Sequence, residues 1–356
     1  MKPQFSHTAI ALLATGATVA AQTAAIDDAP EPYGIRIRVA GKVQFNYKTT
    51  FKDTRPVLAN TPGLFDDGYV LVGSNTQTNQ ANPVTWNWGF NSDTQISGGE
   101  LTLTRYDNVP RVGSIDGSGG STAFGGEIWG MYDLYQFRIW NKRTATWGFE
   151  AGYSFSTVDS SAAATVAGTA TRNQGRYSLG GIVPPQGPYQ GQFNGPAGGA
   201  AAPVIDYNAT GNSSVTADGV NSFSGTVSSD IHCLKLGPWV DLPLSDRFSV
   251  GFGAGFCTLL AQADFTFQES TTFSGANAAA FANASQNLNL NVKRHDWRPG
   301  LYASARMNYM FTERWTAFGS LDIQSNSDLD FSAQGRGVKL GLGTVLGASA
   351  GVQFSF

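Results

Sequence analysis

Charge is scarce in this chain. Charged residues make up 14% of its 356 positions, where soluble domains average about a quarter. There are two cysteines and three histidines. So few thiols and imidazoles, widely separated, offer no Cys/His ligand cluster, so no metal is expected. After the N-terminus no apolar run reaches the roughly 18 residues of a transmembrane helix. The net charge of −3 gives no basic footprint of the kind a nucleic-acid partner requires. No cofactor is expected.

Glycine and aromatic residues are plentiful: 43 Gly, and Phe, Trp and Tyr at 12%. The pattern that organises them is clearest from Val338 to Phe356. Val338, Leu340, Leu342, Thr344, Leu346, Ala348, Ala350, Val352, Phe354 and Phe356 fall on one face. Gly337, Lys339, Gly341, Gly343, Val345, Gly347, Ser349, Gly351, Gln353 and Ser355 fall on the other. A period of two is a β-strand. Its length exceeds the roughly 9–11 residues a tilted strand needs to cross a bilayer, which predicts a wall that crosses and projects beyond. The glycines and scattered charges of the second face could not fill a soluble core. The apolar face therefore points to lipid and the polar face inward.

Read in order, Met1–Ala21 has Lys2, an apolar stretch Ala9–Ala20 and a small-residue end. It is expected to be a signal peptide, followed by a short N-terminal segment, 22–33. Residues 34–356 then form one all-β unit. Ile35, Ile37, Val39, Val43 and Phe45 alternate with Arg36, Arg38, Lys42 and Gln44 in the first strand. Val84–Phe90 and the strand opening at Leu101 form a second hairpin of unclear register. Phe124–Ile139, with a slip near Asp133, and Trp147–Phe155 follow. Segment 159–226 is dominated by Ala, Gly, Ser, Thr, Asn and Pro and reads as one large extracellular loop. Ser229–Leu242, Phe248–Phe267, Arg294–Phe311 and Trp315–Asn326 complete the wall. Long and short connections alternate, which predicts a closed up-and-down antiparallel transmembrane barrel of ten strands, or eight if the second hairpin lies outside.

The dyad pattern and the outward Val352, Phe354 and terminal Phe356 resemble the C-terminal assembly signature of bacterial outer-membrane β-barrels. The chain as a whole resembles small barrels of the OmpA-transmembrane-domain and OmpW type. That resemblance implies the outer membrane of a diderm bacterium, lipid as the surrounding partner and the barrel-assembly machinery during biogenesis. It carries no transported substrate with it.

The inward register lists the candidate lumen. Its basic wall would be Arg36, Arg38, Lys42, Lys48, Arg294, Arg298, Arg306 and Lys339. Its acids would be Glu150, Asp241, Asp296 and Asp322. Such charges either fill the barrel as salt bridges or line a narrow path favouring small anions. The inner glycines leave some room. Register places Arg306 within reach of Asp322. Pairing Leu242 with Phe248 sets Cys233 opposite Cys257, near disulfide geometry. Asp230-Ile231-His232 and Asp328-Leu329-Asp330 are similar to motifs of the omptin proteases. Their order is reversed, and His232 falls in the outward register, so no catalytic residue is expected. The functional expectation is a structural or surface protein, or a narrow solute passage. The alternative is a surface adhesion or binding protein acting through 159–226.

Overall fold

The computed structural model describes residues 34–55, 61–139, 143–196 and 202–356. The expected signal peptide 1–21 and segment 22–33 lie outside the described residues. Eight long strands form the wall. They are β1 (Ile35–Phe45), β2 (Thr122–Arg138), β3 (Thr144–Ser178), β4 (Gly211–Pro243), β5 (Phe248–Ser274), β6 (Gln286–Met310), β7 (Trp315–Asn326) and β8 (Val345–Ser355). Each pairs antiparallel with its neighbours in the order β2-β1-β8-β7-β6-β5-β4-β3, and β3 pairs back onto β2. The ring therefore closes with eight strands, not ten. The expected second hairpin stands outside it. Val84–Thr85 and Trp88–Phe90 join small separate sheets, and Glu100–Asp107 pairs with the far end of β3. Trp88, Phe90, Leu101 and Leu103 are buried together in a core of their own, so their alternation never served lipid. The slip near Asp133 is a register shift between Asp133 and Tyr135.

The wall changes character along its height, and β5 shows how. Its outward residues from the short-turn end are Phe248, Val250, Phe252, Ala254, Phe256, Thr258 and Leu260. They continue as Gln262, Asp264, Thr266 and Gln268. Its inward residues are Ser249, Gly251, Gly253, Gly255 and Cys257, then Leu259, Ala261, Ala263, Phe265 and Phe267. The lower part is apolar outside and small or polar inside; the upper part is the reverse. The apolar band from Phe248 to Leu260 spans roughly 40 Å along the strand. At the usual tilt of about 40° this is roughly 30 Å in height, a bilayer's hydrocarbon thickness. The same inversion falls after Phe155 on β3 and after His232 on β4, which face each other. Exposed aromatics rim the band, Phe124, Tyr153 and Trp297 above and Tyr135, Phe248, Trp315 and Phe356 below, as interface girdles do.

Segment 159–226 is therefore not one loop. Residues 159–178 continue β3, and 211–226 begin β4. Their ladder runs unbroken from Thr146↔Asp241 to Arg176↔Gly211. The linker-like composition has a physical cause. Above the bilayer the outward face is solvated and takes Ser, Thr and Asn, while inward Ala162, Phe223 and Val227 are too sparse to look like a strand.

The predicted single strand Val338–Phe356 is also corrected. It breaks into Arg336–Gly341 and β8. In β8 the even-numbered apolar residues face out, but Val338, Leu340 and Leu342 are buried. Parity inverts equally after β1, where Asn46 adopts φ 73° and Tyr47 and Phe51 turn inward. Asn46 ties the two breaks together by donating to the Thr344 carbonyl at 2.7 Å. Three wall strands, β1, β7 and β8, thus stop at a common level. Their continuations 48–53, 329–333 and 336–341 form a separate sheet with 115–116. This sheet folds over the mouth and packs on the tall strands. Phe51 and Val338 meet Phe223, Phe265 and Phe267, and Leu340 and Leu342 meet Ile231, Leu259 and Ala261.

Candidate functional site: the barrel interior

Inward positions below the cap are filled by ion pairs in two tiers. In the upper tier Lys42 lies 3.0 Å from Asp322 and 3.3 Å from Glu127, and Lys235 lies 3.1 Å from Asp322. All four side chains are almost wholly buried. Gln324 donates to Asp322 at 3.0 Å and Ser349 to Glu127 at 2.7 Å. The Lys235 ammonium also sits over the Trp129 and Tyr302 rings, 5.4 and 5.6 Å from their centres, which stabilises a desolvated cation further. In the lower tier Arg306 meets Glu150 at 2.6 Å, and the Tyr302 hydroxyl donates to the same carboxylate at 3.1 Å. Arg36 bridges Asp133 at 2.8 Å and Asp241 at 3.3 Å. Arg38 donates to Gln353 at 2.6 Å. Trp239 lies between two guanidiniums, Arg36 at 4.9 Å and Arg306 at 5.6 Å.

Among the described residues these two tiers hold five cations, Arg36, Arg38, Lys42, Lys235 and Arg306. They hold five acids, Glu127, Asp133, Glu150, Asp241 and Asp322. The lumen is balanced, so the expected basic wall is corrected. Lys48 stands above the break in β1, its side chain 70% exposed beside Asp116. Lys339 lies in the cap sheet on Asp328. Arg294 is exposed. Arg298 and Asp296 pair with each other on the stretch of β6 that rises past the last β7 residue, Asn326. The expected Arg306–Asp322 contact does not form. Arg306 does face Ser320, and Asp322 does face Ser304, but nearer partners on other strands take both charges. The room expected at the inner glycines is occupied as well. A Cβ on Gly251 would lie 2.6 Å from Arg306 Nε, and one on Gly253 or Gly347 would strike Glu150 or Asp322. Glycine here admits a neighbour's charged head.

Cys233 and Cys257 are both inward, buried and free. The register explains the missing bridge. Pro243 pairs with Ser249, so Cys233 faces Leu259 and Cys257 faces Lys235. The thiols are diagonal, where Cα separations of about 7–8 Å exceed disulfide reach. A slip of two residues preserves which face each side chain takes, so alternation alone could not detect it. Val352 and Phe356 are exposed on the outer face. Phe354 stacks edgewise between Trp315, at 5.0 Å, and Phe356, at 4.8 Å. His232 takes the outer face and shares a 2.7 Å hydrogen bond with the Tyr153 hydroxyl. Asp328 caps the cap sheet, accepting from the Leu342 amide and meeting Lys339 at 2.8 Å.

Sequence reading missed Lys235, Glu127 and Asp133. Lys235 shares parity with Cys233 and Glu127 with Trp129, so both were legible. A second cluster was not. In the cap, Arg336 grips Glu269 at 2.7 and 2.8 Å and donates to the Val112 carbonyl. Arg55 adds 2.9 Å to Glu269, and Asn221 adds 2.8 Å. Burial pushes the Glu269 carboxyl up, but the Arg336 and Asn221 hydrogen bonds and the Arg336 and Arg55 charges outweigh it and hold it below its ordinary value. These partners meet only because the cap folds inward.

A closed ring, an apolar outer belt and a side-chain-filled interior define a transmembrane β-barrel. No family model matches the chain, and no curated protein matches it. Among solved structures it is similar to the outer membrane protein OprG from Pseudomonas aeruginosa, with 10% identity and TM-score 0.32, over 91% of this chain and 96% of that one. It is similar to the outer membrane protease OmpT from Escherichia coli, with 10% identity and TM-score 0.32, over 93% and 99%. It is also similar to Ail, the attachment invasion locus protein of Yersinia pestis, solved with the heparin analogue sucrose octasulfate. That match has 8% identity and TM-score 0.23, over 90% and 97%. All three are bacterial outer-membrane barrels. At these values the likenesses carry no argument about role.

Proposed function

We propose that the protein is a closed, non-catalytic barrel of the outer membrane that anchors a tall extracellular head and presents it to the surroundings. The observation that carries this reading is a charge-balanced interior beneath a folded-in cap, in which every acid is paired with a cation. An anion path would need uncompensated cations along an open axis, whereas each lumen acid here already holds a cation. Opening such a lumen would require these pairs to separate and their side chains to repack. Extending β3, β4 and β5 to 35, 33 and 27 residues serves a head. Crossing the bilayer needs only about 9–11. The omptin-like motifs support catalysis weakly, since His232 engages Tyr153 on the outer face while Asp328 and Asp330 engage lysines of the cap sheet. Planar-bilayer recording of the full-length protein tests the proposal. Electrical silence is expected, and a steady, reproducible conductance would overturn it.

A further inference from the structure

The far end of the head contains an open cleft of about 410 Å³, within the range of small-ligand pockets. Its floor is a three-strand sheet made by Glu100–Asp107 and the ends of β3 and β4. Its wall is the turn at Gly63–Phe65. We infer that this cleft binds an uncharged saccharide. The inference rests on the surface-presentation reading and names the ligand class the head would meet.

Three features select that chemistry. On the face of the sheet that carries Phe65 and Tyr177, Asn212 and Ser214 present neutral groups that both donate and accept, beside Asn173. Such groups match the dense, alternating hydroxyls of a sugar. The one cation, Arg105, is already bound to Asp107 at 3.0 Å, and Asp107 also accepts from Asn173 at 2.6 Å. That pair already neutralises the Arg105 charge, which weakens its pull on an anionic ligand. Finally, the cleft has an aromatic side. Phe65 packs edge-on against Tyr177, ring centres 6.1 Å apart at 82°, and offers an apolar surface to the C–H face of a pyranose ring.

The cleft is also built in advance. Gly175 is bare where the Phe65 ring approaches, since a Cβ there would lie 2.9 Å from the ring. Gly63 takes φ +80° and receives the Val70 amide at 2.7 Å. The next turn residue, Asp66, donates its amide to the Thr104 carbonyl at 2.9 Å. A site fixed on paired strands loses little entropy on binding.

The test uses full-length protein in nanodiscs, titrated with maltotriose, cellotriose and chitotriose, and separately with a sulfated heparin trisaccharide. Binding is followed by saturation-transfer NMR. Saturable binding of at least one neutral trisaccharide is expected, weakened roughly tenfold or more in Phe65→Ala. It should be abolished in Ser214→Trp, which puts an indole on the exposed, cleft-facing side of β4. No saturable binding of any neutral trisaccharide up to about 10 mM would overturn the inference. So would binding confined to the sulfated probe, or binding unchanged in Ser214→Trp. A negative result with an electrically silent barrel leaves the anchor reading standing, so the two failures are separable.

Discussion

The lower barrel and the upper head are made from the same strands with opposite solvents in view. Below the Phe155–His232–Leu260 level, burial falls on Arg38, Lys42, Glu150, Lys235, Arg306 and Asp322, and exposure on Phe252, Phe256 and Leu321. Above it, burial falls on Phe51, Phe223, Phe265, Phe267 and Val338, and exposure on Gln262, Asp264 and Gln268. Lipid solvates apolar side chains without cost, so a wall in lipid can reserve its interior for polar groups, provided they satisfy one another. Water forces the reverse. The β-ladder is indifferent to which way round this falls, because backbone pairing is the same on both sides of the boundary.

That contrast predicts which truncations matter at which height. In the head, Phe51→Ala should cost about 3–5 kcal/mol as a buried aromatic deletion. In the barrel, Asp322→Ala should cost a similar 3–5 kcal/mol by stranding Lys42 and Lys235. Urea-induced unfolding in detergent measures both. If Asp322→Ala were neutral, the interior would be hydrated rather than paired. Outward lysines separate the regions next. Phe252→Lys, near the middle of the band, should lose about 2–4 kcal/mol. Thr266→Lys, one face and fourteen positions up the same strand, should stay within about 0.5 kcal/mol. Equal effects would place both positions in one solvent.

Acid provides a gentler probe of the head. The Glu269 carboxyl titrates below its ordinary value because Arg336, Asn221 and Arg55 favour its charged form. Its stabilisation is therefore complete above the unfolded-state value of about 4.3. It is lost as pH falls through the lowered folded-state value. Head stability followed by Trp fluorescence should decline on that acid limb, and Glu269→Gln should flatten the decline while lowering stability near neutrality. An acid limb identical in the two proteins would remove Glu269 as its cause. The smallest effect belongs to Lys48→Ala. This exposed pair with Asp116 should change stability by less than about 1 kcal/mol.

Alternation made the membrane-facing half readable. The inward placing of Arg36, Arg38, Lys42, Glu150 and Arg306 follows from parity alone, and the short turn at 312–314 fixed the Arg306↔Ser320 register. Where a turn is longer, as at 244–247, two registers keep the same faces and parity cannot choose between them. The head was harder to read for a different reason. A reader who has learned "apolar means out" from β5 residues 248–260 will misread 261–273, and the parity reversals at Asn46 and 342–344 hid the cap altogether. Ion partners lay further still from view, because Arg306 and Glu150 sit on strands that are not adjacent in the ring.

The unbroken ladder from Thr146↔Asp241 to Arg176↔Gly211 has a mechanical meaning. Domains ordinarily meet at a linker that few contacts cross, and a linker lets one body swing, fold or be cut away without the other. Along β3 and β4 no joint separates head from root. A load applied at the tip is carried as shear along consecutive backbone hydrogen bonds into the bilayer, and the head cannot be severed by nicking a hinge.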